Sequence, residues 1–438
     1  MLIIADDLSG AADCGVACAK AGLDTIVSLD EAAGTGNGQA VAIDADTRGK
    51  PAAAAAAETA RIVRAHAAPG QILFKKLDST LRGNVGAELA AVLLTRRAMH
   101  GNLIAIMAPA FPATGRTTAC GHQLLHGVPL EHTDIWRREG IEGIAYIPAM
   151  LDAWGLRTAV IRLEIVRDEV QLRTALAEAA AHCDVIVCDA SVDADLRAIA
   201  RASMLLGRNT IWVGSAGLAH YLPEATGLQR RRRALPLPIV NGPMLFTVGS
   251  VSAISREQVR HLAPAGVEVV TVPPALLRAG AGTAGWAGSQ AALAAALATG
   301  HDTVALLGMA ADVDLSEGPQ LCQALGQLVA PFVWSVSALV ATGGETARAV
   351  LQGSGVTGLR LIGELEAGVP VSITTDGHAL PVITKAGAFG QPDTLLHCRA
   401  ALRSPAGTFN QQEIRSPCHV RPSPSPWATP PALDRKSS

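Results

Sequence analysis

Two adjacent carboxylates, Asp6 and Asp7, close the apolar run Leu2-Ile3-Ile4-Ala5 and precede the small-residue turn Leu8-Ser9-Gly10. Ligands of open α/β sheets bind outside the carboxyl ends of the strands, so these acids stand where chemistry usually occurs. Helix capping and complementation of the helix dipole account for one such Asp, while two in succession invite a chemical role. A second polar concentration, Lys75-Lys76-Leu77-Asp78-Ser79-Thr80-Leu81-Arg82-Gly83-Asn84, follows another apolar run. Lys or Arg there can hold a substrate carboxylate, and the hydroxyls and amide can hydrogen-bond sugar hydroxyls. A solvated, capped loop would not require so many polar groups before Val85, Leu89 and Val92 resume helical spacing. Arg48, in Asp44-Ala45-Asp46-Thr47-Arg48-Gly49 after a third run, can reach the same crevice. Ala108 to Thr118 ends a fourth strand and can form a rim, with rigid prolines as its plainer explanation.

In the second half, Ala341-Thr342-Gly343-Gly344-Glu345-Thr346-Ala347 turns from a strand into a helix. Adjacent glycines permit close backbone approach, and free amides at a helix start favour phosphate oxygens. Gly249-Ser250 and Lys385-Ala386-Gly387-Ala388-Phe389-Gly390 repeat the small-residue turn after a strand, and three such turns can surround one nucleotide. A tight turn is the bland alternative in each case. No Walker A sequence occurs, and Gly34-Thr35-Gly36-Asn37-Gly38 misses the third glycine of a dinucleotide fingerprint, which weakens a nucleotide-dependent oxidoreductase. His122 and His126 have the helical spacing of zinc ligands, but Gln123 stands where a zinc protease needs Glu, so they are read as ordinary histidines.

These side chains need elements to hold them. Short β-branched runs alternate with Ala-rich stretches in both halves, the rhythm of parallel sheets covered on both faces. Strands are expected at Leu2 to Ala5, Thr25 to Val27, Val41 to Ile43, Ile72 to Phe74 and Leu103 to Ile106, then at Met244 to Val248, Thr303 to Leu307, Ala338 to Ala341 and Val382 to Thr384. Ser9 is a candidate cap for a helix running to Ala21, and Ser255 with Gln258 has capping-box spacing. The expected fold is α/β with two domains, each a mainly parallel sheet flanked by helices, and an active site in the cleft between them. The boundaries are 1–225, a linker at 226–243 carrying Arg230 to Arg233 and three prolines, 244–400, and a Ser- and Pro-rich tail at 401–438 expected to be disordered.

A chain of 438 residues favours two domains over one, and 49% hydrophobic against 17% charged residues suits buried α/β layers. A net charge of -2 provides no global field for nucleic acid. No secretory signal and no apolar run long enough to span a bilayer is visible, and the eight cysteines form no Cys-x-x-Cys pair, so a cytoplasmic protein with reduced thiols is expected. Cys14 and Cys18, one helical turn apart, are read as packing residues.

At Ala5 to Ala12, Lys75 to Glu88, Ala108 to Thr118, Thr342 to Ala347 and Lys385 to Gly390 the sequence resembles the four-carbon acid sugar kinase family, with the segments in family order. The resemblance covers about residues 1 to 400 and looks closest to the threonate branch. It implies an N-terminal sugar-acid domain and a C-terminal nucleotide domain. Asp6 or Asp7 would take the hydroxyl proton, and Arg48, Lys76, Asp78, Ser79, Thr80 and Arg82 would bind substrate. Ser250, Gly343, Gly344, Glu345, Thr346 and Gly387 would bind ATP, with Mg²⁺ expected but its ligands unassigned. Ser9 stands where many relatives have Thr. The implied reaction is ATP-dependent phosphorylation of the C4 hydroxyl of D-threonate, with D-erythronate, L-threonate or 3-oxo-tetronate as alternative acceptors. The competing reading is a noncatalytic sensor of sugar acid and nucleotide. Small molecules are the expected partners, with no nucleic acid or membrane and with a homo-oligomer left open.

Overall fold

The computed structural model describes residues 1–30, 38–230, 237–309 and 317–403. The Gly-rich stretch at 34–37, most of the arginine run with Pro236, and the tail from 404 onward lie outside the described residues. In the first half the chain forms β1 (Leu2–Ala5), β2 (Thr25–Ser28), β3 (Ala40–Asp44), β4 (Leu73–Lys76) and β5 (Ile104–Ala108). A small antiparallel sheet follows, made of β6 (Arg116–Ala119), β7 (His122–Leu125) and β8 (Val128–Pro129). Then come β9 (Thr158–Ile161), β10 (Val185–Cys188) and β11 (Thr210–Gly214). The second half contributes β12 (Met244–Val248), β13 (Glu268–Val272), β14 (Thr303–Leu307) and β15 (Ala338–Thr342), followed by β16 (Gly358–Glu364), β17 (Pro370–Thr374) and β18 (Pro381–Lys385).

Both halves are α/β units whose strands run parallel, in the order β2-β3-β1-β4-β11-β5-β10-β9 and β13-β14-β12-β15-β18. Strands such as β1, β3, β12 and β15 are buried along their whole length, as helices on both faces require. The two sheets also meet edge to edge. The antiparallel hairpin β16-β17 pairs through β17 with β18 and through β16 with β2, matching Leu359 to Val27, so fifteen strands form one continuous sheet.

Strand order locates the crevices. From β1 the chain crosses toward β2 and from β4 toward β5, in opposite directions, so the loops after β1 and β4 diverge and leave a gap between them. The acids Asp6 and Asp7 follow β1, and the Lys76 to Arg82 segment follows β4. In the second half the crossovers after β12 and β15 diverge in the same way, and Gly249-Ser250 and Gly343-Gly344 occupy that gap.

The first helix, Leu8–Lys20, is capped by Asp7 rather than Ser9, because the Asp7 carboxylate accepts from the Gly10 N–H at 2.8 Å. Likewise Ser252, not Ser255, caps the helix Ala253–Leu262. Each cap lies earlier than its sequence spacing suggests, since the residue with extended backbone just outside the helix takes the role. His122 lies in β7, stacked 4.7 Å from Tyr146, so its spacing from His126 has no helical meaning. Cys14 and Cys18 are fully buried packing residues. Among the described residues no helix is long and apolar enough to cross a membrane.

The helix that opens at Gly344 is held by close packing. A Cβ added to Gly326, in the helix Gly318–Val329, would lie 2.6 Å from the Ala349 backbone carbon. Gly326→Val is therefore expected to lower stability by about 1–3 kcal/mol through overpacking. Urea unfolding with an unshifted midpoint would contradict that account.

Candidate active site

The sequence-predicted acids and cations of the first half converge into one network. Asp6 Oδ2 accepts from Arg48 Nε at 2.7 Å, Asp7 Oδ2 from Arg48 Nη1 at 2.7 Å, and Lys76 Nζ donates to Asp6 Oδ1 at 3.3 Å. Lys76 also lies 3.6 Å from Asp7 Oδ1, and Arg48 lies 3.7 Å from Asp78. Arg82 clamps Asp78 through Nε at 2.8 Å and Nη2 at 3.0 Å, while the Thr80 hydroxyl bonds the same carboxylate. Ser79 is held by its carbonyl, which accepts from Gln123 Nε2 at 2.8 Å. Asn84 fastens the neighbouring loop by donating to the Thr47 and Lys50 carbonyls.

Exposure separates the two adjacent acids. Burial alone would raise the Asp6 carboxyl, but Arg48, then Lys76 and Lys75, outweigh it and hold the group well below the usual carboxylate range. Asp78 is likewise held low, by Arg82 and Arg48 against the effect of burial. Lys76, although buried, is kept above its ordinary value by Asp6 and Asp7. Both oxygens of each acid are engaged, but Asp6 is 3% exposed whereas Asp7 is half-buried. Lys75 points elsewhere and forms a buried pair with Glu88 at 2.6 Å.

The three turns of the second half also meet. Gly343 adopts φ +98, a left-handed conformation that glycine tolerates, and opens the helix Gly344–Gly353. The N–H groups of Gly344, Glu345 and Thr346 have no acceptor within the helix. A Cβ on Gly387 would lie 2.4 Å from Ser250 Oγ and 4.0 Å from the Gly343 Cα, so Ser250, Gly343 and Gly387 form one surface. Thr346 turns its hydroxyl inward to Cys322 Sγ at 3.3 Å, leaving its backbone N–H for a ligand. Glu345 is exposed at the helix start.

Ser252, which sequence reasoning did not single out, and Ser255 and Gln258, read from the sequence only as a capping box, hold the 386–391 turn in shape. The Gly387 carbonyl accepts from Ser252 Oγ at 2.7 Å and Ser255 Oγ at 2.5 Å, and Gln258 Nε2 donates to the Phe389 and Gln391 carbonyls. Lys385 Nζ donates to the Ala386 carbonyl at 3.1 Å. With its carbonyls drawn inward, the turn leaves the Gly387 and Ala388 N–H groups without acceptors among the described residues, a concavity suited to anion oxygens. A lysine directly after the run Val382-Ile383-Thr384, at the end of the strand, was the available signal for Lys385.

The halves touch at these two surfaces. A Cβ on Gly344 would lie 2.8 Å from Ser9 Oγ and 3.5 Å from Asp7 Oδ2. Arg348, one turn into the same helix, bonds Asp44 at the end of β3 and lies 3.5 Å from Asp46. Lys20 pairs with Glu364 across the same junction. The arrangement brings a polar pocket with a carboxylate at its mouth against a set of outward N–H groups, which can orient a small hydroxylated anion beside a polyphosphate.

Comparison with known proteins gives a consistent picture. A family described as "Sugar-binding N-terminal domain" matches residues 1–222, and one described as "Nucleotide-binding C-terminal domain" matches residues 245–395. A D-threonate kinase of Cupriavidus necator is 43% identical over 411 residues, covering 92% of this chain and 97% of the relative. A D-threonate kinase of Bordetella bronchiseptica is 34% identical over 417 residues, covering 92% and 97%. A crystal structure from Salmonella typhimurium LT2, designated a tRNA synthase, matches with TM-score 0.73, covering 91% of this chain and 98% of that one. At 20% identity that likeness speaks to the fold alone.

Lys385 supplies a test of how the glycine turn is held. Burial lowers its ammonium to about 8 from the ordinary 10.5. The unfolded chain thus keeps this proton at pH values where the folded chain has released it, so this group makes stability rise as pH climbs from about 8 to 10.5. The difference in unfolding free energy between the parent and Lys385→Met, measured in urea across that range, should change by on the order of 3 kcal/mol. A difference independent of pH would mean that the ammonium is not desolvated.

Proposed function

Given that this chain belongs to the four-carbon acid sugar kinase family, with its sugar-binding N-terminal and nucleotide-binding C-terminal domains, we propose that it transfers the γ-phosphoryl group of ATP to the C4 hydroxyl of D-threonate. Identity of 43% to a D-threonate kinase, against 29% to a 3-oxo-tetronate kinase of the same organism, favours threonate as the acceptor. The observation that carries the mechanism is the approach of Gly344 to Asp7, because it sets a proton acceptor beside a phosphate-binding helix start. The active site on this reading is the cleft between residues 1–225 and 244–400, connected by 226–243.

Asp7 is the proton acceptor. Its Oδ2 faces Gly344, while Asp6 is enclosed and stabilised as a carboxylate by Arg48 and Lys76. Asp6 therefore positions Arg48 and Lys76 instead of exchanging a proton. Ser79, Thr80 and Arg82 line the acceptor side with Asp78, and the free N–H groups after Gly343 and at Gly387 receive the nucleotide phosphates, beside Ser250. Phosphoryl transfer depends mainly on such positioning and charge stabilisation.

Among the described residues no group of three or more His, Cys, Asp or Glu side chains is arranged to hold a metal. Mg²⁺ usually keeps water and phosphate ligands with only one or two protein carboxylates, so on this reading it arrives on the nucleotide. Glu345 is the carboxylate available at the helix start. When bound, the ion would neutralise phosphate charge.

Purified protein should release ADP with D-threonate and Mg²⁺ and do so more slowly with erythronate, L-threonate and 3-oxo-tetronate. Asp7→Asn should lower kcat by about 10²- to 10⁴-fold in protein that circular dichroism shows to be still folded. Unchanged turnover would remove Asp7 from the chemistry, and silence across the whole panel would favour a sensor.

A further inference from the structure

Counting charges around the acceptor pocket exposes an imbalance. Arg48, Lys76 and Arg82 are matched by Asp6, Asp7 and Asp78 within the protein, so these cations leave no net positive charge for an incoming anion. Arg116 is different. It opens β6 directly after the left-handed turn at Gly115, and among the described residues no carboxylate lies within ion-pair distance of it. Its Nη1 donates to the Thr114 carbonyl at 2.7 Å, which anchors one edge of the guanidinium, while Nε is buried without any acceptor.

The position of that guanidinium is as informative as its lack of a partner. Its central carbon lies 6.0 Å from the ring centroid of Phe389, which belongs to the glycine turn of the nucleotide half. Arg116 itself belongs to the sugar-acid half, and burial lowers its pKa while Asp78 and then Arg82 act on it through their charges. It therefore lies beside the 385–390 turn and within electrostatic range of the acceptor pocket. Arg96 and Arg256 also have buried nitrogens without acceptors. Arg96, however, is tied to the Ala68 carbonyl after the helix Ala52–His66, and burial alone perturbs Arg256, with no charge of the site acting on it.

A planar guanidinium with unused donors, partly withdrawn from water and placed between donor and acceptor, matches the needs of a phosphoryl group in transit. We propose that Arg116 is a further catalytic residue, whose guanidinium hydrogen-bonds the non-bridging oxygens of the phosphoryl group as it passes between the halves. This rests on the kinase reading above. In the step, the bond between the γ-phosphorus and the bridging oxygen of ADP breaks, and ADP leaves with its electron pair. The C4 oxygen of the sugar acid forms the new bond to phosphorus and its proton passes to Asp7. Arg116 exchanges neither proton nor electrons and neutralises charge on the oxygens in flight.

The test compares the parent with Arg116→Ala and Arg116→Lys under saturating ATP and Mg²⁺, with D-threonate as acceptor. Arg116→Ala should lower kcat by about 10³-fold or more, leave KM for D-threonate and calorimetric binding of a nonhydrolysable ATP analogue within threefold, and recover part of its turnover when guanidinium is added at millimolar concentration. Arg116→Lys, which keeps the charge but not the fork, should still lose at least tenfold in kcat and serves as the deciding variant if the alanine protein does not fold. A kcat within threefold of the parent would overturn the proposal, as would a raised KM at constant kcat, which would make Arg116 a holder of the substrate carboxylate. If the parent itself releases no ADP with any four-carbon acid, the kinase reading falls and this inference with it; an active parent with a fully active Arg116→Ala sinks the inference alone.

Discussion

The exchange of charge between Asp6, Asp7 and Asp78 and Arg48, Lys76 and Arg82 is the constraint around which the first half is organised. These groups are largely withdrawn from water, and ions in that situation persist only when each is paired and hydrogen-bonded. The network draws together the loops after β1, β3 and β4, which are far apart in the chain, and fixes their side chains before any ligand arrives. Its balance also has a chemical consequence. The cations that look most suited to seizing a substrate carboxylate are already satisfied, so they shape the pocket through hydrogen-bond direction more than through net attraction.

The second half solves the anion problem with backbone. Its outward groups are N–H donors at a helix start and in the 386–391 turn, held so because Ser252, Ser255, Gln258 and Lys385 occupy the opposing carbonyls. Such donors are arranged before binding and need no reorganisation when a polyphosphate arrives. The two solutions are brought into contact by the β16-β17 hairpin, which links the sheets along their edges, and by the Arg348 pairing with Asp44 at the end of β3. A side chain at Gly344 would have to displace the Ser9 hydroxyl, which a Cβ there would approach to 2.8 Å.

Much of this was legible in the linear chain. The strands that hold the site appear as short apolar runs, the acids and cations fall directly after them, and the paired glycines mark the turn into the helix Gly344–Gly353, because a parallel sheet buries its strands and places its loops at one end. Helix caps were misplaced by a few residues at Ser9 and Ser255, since capping depends on which residue adopts extended backbone at the boundary. Lys385, Ser252 and Arg348 were passed over, as their roles consist of contacts with segments distant in sequence.

What the sequence by itself determined is the inventory: a two-domain α/β chain with an acidic strand end, a cationic segment and three small-residue turns. Only the tertiary structure decided the partnerships. It set Asp7 rather than Asp6 toward the glycines, closed Arg48, Lys76 and Arg82 onto the protein's own acids, and left Arg116 without one among the described residues. The reason is physical. Apolar periodicity and turn chemistry act over a few residues and are written locally, whereas the balance of desolvation against ion pairing depends on which distant groups the folded sheet brings within a few ångströms.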